Sequence, residues 1–194
     1  MSEGGSRGDV AMSVIAKVHR PGVTPEEMVV GYNDWSENYE EMMIWKGGYR
    51  GPAITLEEAL RWVPPERRAK ARVLDVAAGT GCVGRELHRE GFRHIDAVDP
   101  SEGMMKQRET GIYTNDFLEF IGSGHSTVPK GGFVIIVMRH EFLQTVPSYK
   151  DKLEPYMDQL EADGKWKKVE RRIVPNYFCD KEGLVFVFRI TKPE

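Results

Sequence analysis

This 194-residue chain has few cysteines, no long apolar run and no large excess of either charge. Its two cysteines, Cys82 and Cys179, are too far apart for a zinc motif, and none of its five histidines has a partner at metal-ligand spacing. The chain contains no run of about 18 apolar residues, so we expect no membrane span. A formal net charge of −3 gives no reason to expect a nucleic-acid or membrane surface.

The first residues, Met1 to Asp9, also lack the apolar core of a secretory signal peptide. We therefore expect a reducing compartment, the cytoplasm or else the nucleus. Gly and Ser are frequent before Pro21-Gly22, and we interpret residues 1–22 as a mobile tail. Residues 23–194 are enough for a single domain with a substantial core.

What the chain does contain is a nucleotide-binding pattern at residues 73–84, V-L-D-V-A-A-G-T-G-C-V-G. Its apolar start predicts a short buried strand, Gly79 to Gly81 predict a tight turn, and residues 85–89 favour a helix. Glycine lets the backbone adopt positive φ and approach a ligand, while the helix N-terminus presents free N–H groups. This order of elements is typical of the first unit of a nucleotide-binding α/β fold.

A second strand is predicted at residues 95–99, I-D-A-V-D, with Asp99 at its C-terminal end. Asp99 follows Gly81 by 18 positions, close to the about 20 expected for an acid that binds ribose hydroxyls. A carboxylate suits this task because its two oxygens can accept from both hydroxyls. The glycine spacing alone is weak evidence, and an NAD site or a turn that binds nothing would fit it too.

The residues around the glycines resemble those of the class I S-adenosylmethionine (SAM) methyltransferases. D-V-A-A-G-T-G has Asp75 in the strand, and D-P-S-E-G-M-M follows the second strand. G-Y-N-D-W-S-E-N-Y-E at residues 31–40 resembles a segment that forms part of a lid in many of these enzymes. The resemblance implies SAM as the cofactor, with contacts from Asp75, Ala77, Gly79, Thr80, Gly81, Asp99, Pro100, Met104, Tyr39 and Asp116. It places the lid in a helical N-terminal segment, residues 23–63.

Several segments together are similar to the small methyltransferases named for the Williams–Beuren syndrome chromosomal region, over roughly residues 25–190. They include L-D-V-A-A-G-T-G, V-D-P-S-E-G-M-M and Y-K-D-K-L-E-P-Y-M-D-Q-L-E. This resemblance implies methyl transfer to an acceptor, a small molecule or a protein, that it does not identify. No N-P-P-Y or D-P-P-Y motif for amino-group methylation of nucleic acid is present. His140 is the only histidine predicted near the ligand-facing end, as a base or as a surface residue.

The fold implied by the resemblance is α/β, a Rossmann-like class I methyltransferase sheet with helices on both faces and a C-terminal antiparallel hairpin. F-V-I-I-V-M at residues 133–138 predicts a buried strand. Residues 169–178 and 184–190 predict two strands joined by a turn at 180–183. Helices are predicted from Thr24, which forms a capping box with Glu27, to about Trp45, then at 54–63 and at 149–164. Pro155 inside the last of these should either kink the helix or mark its true first turn.

One region is shorter than the resemblance implies. The third strand is predicted at residues 111–115, and only 17 residues separate it from the strand that begins at Phe133. They allow one crossover connection but not a further strand with two helices. We therefore expect a sheet shortened between its third and fifth strands, with the first strand either unpaired at one edge or placed against residues 133–138. The intact glycine pattern favours an active methyltransferase, and the short region favours an inactive remnant or truncated isoform that acts as a binding protein.

Overall fold

Two three-stranded sheets form the framework of the computed structural model, which describes residues 13, 15–20, 22–121 and 131–191. The strands are β1 (Arg72–Val76), β2 (His94–Val98), β3 (Asn115–Phe117), β4 (Phe133–Arg139), β5 (Trp166–Phe178) and β6 (Lys181–Ile190). The first sheet is parallel with the order β1-β2-β3, and the second is antiparallel with the order β4-β6-β5. The predicted α/β class and C-terminal hairpin are therefore confirmed.

The helices precede and connect these strands. They are α1 (Pro25–Trp35), a 3-10 turn (Ser36–Asn38), a π-helix (Glu41–Lys46), α2 (Gly51–Trp62), α3 (Pro65–Arg68), α4 (Cys82–Arg89), α5 (Glu102–Lys106), α6 (Phe142–Thr145) and α7 (Leu153–Ala162). None of the described helices is long and apolar enough to cross a bilayer.

The start of α1 has the capping box that its sequence predicts. Thr24 Oγ1 accepts from the Glu27 amide at 3.2 Å, and the Glu27 carboxylate accepts from the Thr24 amide at 2.9 Å. Helical backbone then continues beyond Trp35 through the 3-10 turn and the π-helix to Lys46. It ends at Gly47, where a Cβ would lie 2.7 Å from a backbone carbonyl oxygen, so any larger residue would clash.

Strand β6 is the centre of the second core. Its residues Leu184 to Phe188 are all fully buried, and successive side chains point to opposite faces. Val185 and Val187 pack towards α1 and α2, whereas Leu184, Phe186 and Phe188 pack towards α6 and α7. Helices thus cover both faces of this sheet, which explains why β6 has an unbroken apolar run.

The hairpin turn lies earlier than predicted. Cys179 and Asp180 have φ values of 45° and 60°, so they form a two-residue turn of the type that matches strand twist. Strand β6 therefore begins at Lys181 instead of residue 184, and the predicted turn at residues 180–183 starts one position late and ends three positions late.

Two sequence-based boundaries also need correction. The third strand was expected at residues 111–115 but is Asn115–Phe117, because Gly111, with a φ of 81°, lies in a turn that delays the strand. The last long helix was expected from residue 149 but begins at Leu153, so Pro155 lies in its first turn, where it disrupts no helical hydrogen bond.

The N-terminal tail is shorter than expected within the part that the structure describes. Residues 15–18 are helical, and Ile15 and Val18 are buried. Ile15 joins the cluster that packs on one face of the second sheet. Residues 1–12 of the predicted tail and residues 122–130 of the shortened connection lie outside the described residues.

The two sheets are not joined by strand hydrogen bonds in the described residues. There β1 pairs only with β2, and β4 pairs only with β6. Helix α2 contacts both α4 and β4, and Ile135 of β4 packs against the cluster around Leu87 and Ile95. Side-chain packing through α2 therefore holds the sheets together.

Candidate functional site

The loop after β1 turns sharply because three of its residues have left-handed backbone. The φ values are 55° at Ala77 and Gly79 and 83° at Gly81, which caps α4. A Cβ at Gly79 would lie 3.2 Å from the methyl group of Met104, which is itself buried. The glycines therefore permit both the turn and a close approach of the residues that follow β2.

Asp99 lies against this glycine loop, at the carboxyl end of β2. One carboxylate oxygen accepts from the Gly79 amide and the other from the Ser101 amide, each at 2.8 Å. The residue is 6% exposed, and the following Pro100 is half-buried. The structure thus brings together the glycines and the acid that the sequence spacing had linked.

Asp75 faces the interior between β1 and α4. It is 8% exposed, and its carboxylate accepts from the Tyr113 hydroxyl at 2.8 Å. Burial raises the pKa of Asp75 to about 6, although the hydrogen bond from Tyr113 acts in the opposite direction. A Cβ at Gly84 would lie 2.3 Å from the Tyr113 hydroxyl, so the third glycine of the pattern makes room for this phenol.

A small cavity of about 160 Å³ opens beside the loop at Thr80. The other residues that line it come from the N-terminal segment and from the helices that follow β1 and β2: Ser36, Glu37, Glu40, Arg85 and Gln107. Nearby, burial raises the pKa of Cys82 to about 11, which keeps a neutral thiol at physiological pH. A buried neutral thiol is a poor nucleophile, so Cys82 is a packing residue here.

An ion pair between Glu40 and Arg85 forms one side of this cavity. Two guanidinium nitrogens of Arg85 contact the two carboxylate oxygens of Glu40 at 3.2 and 2.9 Å. Burial alone would raise the pKa of Glu40, but hydrogen bonds from Arg85, Thr80 and Cys82 lower it below its usual value. Sequence reasoning missed both residues, because a long-range ion pair leaves no pattern in one sequence.

Tyr39, the neighbouring residue predicted to contact the cofactor, packs in the core instead of lining the cavity. Its ring meets that of Trp35 edge-on, with 5.1 Å between centroids. Burial raises its pKa well above the usual value, and the Asp99 carboxylate adds to this rise. Tyr39 therefore lies near the loop but supports the segment that carries Glu40.

Asp116, one of the residues predicted to contact the cofactor, is held by Arg108. The Arg108 guanidinium bonds to the Asp116 carboxylate and, through Nε, to the Gly79 carbonyl oxygen at 2.8 Å. It also lies 5.0 Å from the ring centroid of Tyr113. Arg108 thus connects the glycine loop to β3, a role that no motif in the sequence had indicated.

Asn33 connects α1 to the same region. Its side-chain oxygen accepts from the Ser101 hydroxyl at 2.7 Å and from the Gly103 amide at 2.8 Å. A Cβ at Gly103 would lie 2.9 Å from the Asn33 Cα, so glycine is needed for this close contact. The asparagine was part of the lid-like segment but had not been singled out.

His140 lies away from the glycine loop. Its Nδ1 is 3.2 Å from the Glu182 carboxylate, and its amide donates to the Glu182 carbonyl at 3.0 Å. These contacts tie it to the hairpin and favour the surface role over that of a base.

A larger cavity of about 280 Å³ lies at the opposite end of the parallel sheet. Its lining includes Arg72, His94 and Asn115, the first residues of β1, β2 and β3. Ligands of open α/β sheets bind beyond the carboxyl ends of the strands. The smaller cavity beside the glycine loop is therefore the candidate functional site.

The chain is similar to known methyltransferases in sequence and in fold. No family model matches the chain. Methyltransferase-like protein 27 from Homo sapiens is 29% identical, over 85% of this chain and 78% of that protein.

Solved structures with a similar fold are SAM-dependent methyltransferases. The 1,6-didemethyltoxoflavin-N1-methyltransferase of Burkholderia thailandensis, with bound 1,6-didemethyltoxoflavin and S-adenosylhomocysteine, has a TM-score of 0.57 at 17% identity, covering 89% of this chain and 92% of that one. A SAM-dependent methyltransferase from Leishmania major has a TM-score of 0.50 at 10% identity, with 92% and 82% covered. The chain therefore has the Rossmann-like α/β fold of these enzymes.

Proposed function

We propose that this protein binds SAM and transfers its methyl group to a small-molecule or protein acceptor. The observation that carries the proposal is the Asp99 carboxylate, 2.8 Å from the Gly79 amide at the carboxyl ends of two adjacent parallel strands. A nucleoside that lies over the loop would reach this acid with its ribose. The structural similarity to an enzyme with bound S-adenosylhomocysteine supports the same ligand.

The residues present fit this cofactor. Each Asp99 oxygen accepts one amide hydrogen, so each retains acceptor capacity for a ribose hydroxyl. The loop at Ala77 and residues 79–81 would contact the methionine end, and Pro100, Met104 and Asp116 would lie on the adenosine side. Asp75, which accepts a hydrogen bond from Tyr113, would help to position the loop.

Methyl transfer from SAM depends mainly on the alignment of the methyl donor with the acceptor. SAM supplies a methyl group on a sulfonium sulfur, which is already a good leaving group. The protein then has to hold donor and acceptor in line, and such positioning alone contributes several kcal/mol to a two-substrate reaction, up to about 7–11 kcal/mol in the best cases. A general base is not required by this geometry, and none is assigned.

A second function is favoured by the separated sheets. Because β1 and β4 have no second strand partner among the described residues, each leaves hydrogen-bonding groups at an edge. We propose that the chain is a shortened relative of the Williams–Beuren region methyltransferases. If the missing strand normally completes the acceptor site, the protein would bind ligands or partners without catalysis.

Calorimetric titration with SAM and with S-adenosylhomocysteine tests the first function. We expect micromolar dissociation constants for both ligands. Absence of binding by a protein that still unfolds cooperatively would replace the methyltransferase proposal with the inactive one. Absence of binding by an unfolded protein would show that the shortened region is indispensable for the fold.

A further inference from the structure

We infer that Glu40 and Arg85 recognise the zwitterionic amino-acid end of SAM, with Arg85 binding its carboxylate and Glu40 its ammonium group. This inference rests on the proposed function and assigns charged side chains to one end of the ligand. Neither residue belongs to the glycine pattern or to the predicted contacts.

The position of the pair supports this assignment. Glu40 and Arg85 line the cavity that opens at Thr80, the central residue of the glycine turn. Their side chains are 21% and 22% exposed, so part of each is accessible to a ligand. A ligand that lies along the loop from Asp99 therefore meets the pair at its other end.

The charges of the pair select a class of ligand. Arg85 stays protonated at all physiological pH values, and the hydrogen bonds that Glu40 accepts keep it ionised. Such an ion pair complements a zwitterion, because the anionic group of the ligand can bind Arg85 while its cationic group binds Glu40. A phosphate would be attracted by Arg85 but repelled by Glu40, so the pair disfavours a pyrophosphate such as that of NAD.

The pair also joins two separate elements. Glu40 lies between the 3-10 turn and the π-helix, whereas Arg85 lies in α4. A zwitterion bound to both would hold the N-terminal segment against the loop. The alternative is that the ion pair only holds the N-terminal segment against α4 and does not contact the ligand. The experiment below distinguishes ligand recognition from this structural role.

The test uses three ligands and calorimetry on the full chain. S-adenosylhomocysteine carries the amino-acid group, whereas 5′-methylthioadenosine keeps the adenosine and sulfur but lacks it. We expect Glu40→Gln and Arg85→Gln each to weaken SAM and S-adenosylhomocysteine at least tenfold, with less than a twofold change for 5′-methylthioadenosine. Arg89→Gln is the matched control, because Arg89 lies one turn later in α4, where its exposed side chain pairs with Glu86 at 2.7 Å.

A charge-swapped double variant, Glu40→Arg with Arg85→Glu, distinguishes recognition of the ligand from a purely structural ion pair. It keeps an ion pair but reverses its polarity, so we expect tight S-adenosylhomocysteine binding to remain lost. Restored binding in the swap, or equal losses for 5′-methylthioadenosine in the single variants, would overturn the inference and leave SAM binding intact. A wild-type protein that binds none of the three ligands would overturn the proposed function, and this inference with it.

Discussion

Asp99 is the residue on which cofactor binding is expected to depend most. Asp99→Asn keeps the side-chain shape but removes the negative charge and replaces one of the two oxygens that would accept from ribose hydroxyls by an NH2 donor. Hydrogen bonds to charged groups contribute about 1.5–3 kcal/mol, so we expect SAM affinity to fall about tenfold to a hundredfold. Calorimetry with Asp96→Asn as the control checks this, because Asp96 lies on the same strand and bonds to Asn115 instead. Unchanged affinity in the Asp99 variant would exclude the ribose contact.

Asp75 should make the stability of the protein depend on pH in an unusual direction. Its pKa of about 6 in the folded state lies above the ordinary value of 3.8, so the native state binds more protons between these values. The free energy of unfolding therefore falls as pH rises from about 4 to about 7. A shift of about two units corresponds to about 3 kcal/mol.

The variant Asp75→Asn carries no titrating group at this site and serves as the comparison. Urea denaturation of both proteins from pH 4 to pH 7 should show the wild type losing up to about 3 kcal/mol relative to the variant. A constant difference between the two across this range would mean that Asp75 titrates normally and is not buried as described.

Among the secondary-structure elements, α1 should depend on its capping box. Thr24→Ala removes the oxygen that accepts from the Glu27 amide, and such substitutions cost about 1 kcal/mol. Chemical denaturation measures the loss. Thr55→Ala is the control, since that hydroxyl bonds to a carbonyl inside α2 and caps nothing, so stability should change little. Equal effects of the two substitutions would contradict the capping role.

The hairpin turn offers a stabilising change. Asp180 has a φ of 60°, which glycine adopts without the cost that other residues bear. We expect Asp180→Gly to raise the free energy of unfolding by about 0.5–1 kcal/mol. Asp163→Gly, at a φ of −73°, should give no such gain. A destabilised Asp180 variant would argue that the aspartate side chain itself supports the turn.

Elements with strong local signals were predicted from the sequence, and elements set by distant contacts were not. Thr24 and Glu27 predicted the start of α1, and the apolar run at residues 133–138 predicted β4, because caps and buried strands depend on nearby residues. The third strand was misplaced because its pairing with β2, and not its own composition, fixes Asn115–Phe117. The hairpin turn was misplaced because Cys179 is not a typical turn residue, whereas Gly183, which is one, lies inside β6.

The same distinction explains how much of the site was predicted. Gly79, Gly81 and Asp99 were found because their spacing follows from the geometry of one strand–loop–helix–strand unit. Glu40 and Arg85 are 45 positions apart and meet only through tertiary packing. No regularity in a single sequence marks such a contact, so the charged side of the cavity emerged only from the structure.

Taken as a whole, the molecule consists of two sheets joined by α2, and ligand binding should reveal how tightly they are coupled. The proposed SAM site lies on the β1-β2-β3 sheet, so SAM bound there would stabilise that half directly. At a SAM concentration a hundredfold above its dissociation constant, the stabilisation is about 2.7 kcal/mol. For a chain of this size, that corresponds to a rise in melting temperature of roughly 5–10 °C.

If packing through α2 couples the halves, circular dichroism should show a single transition that SAM shifts as a unit. NAD is the control ligand and should leave the melting temperature unchanged. Two transitions, of which SAM moves only one, would mean that the β4-β6-β5 half folds on its own. The edge of β1 that has no strand partner among the described residues would then limit the stability of the half that carries the proposed site. A peptide strand that pairs with this edge should raise both the affinity for SAM and the melting temperature.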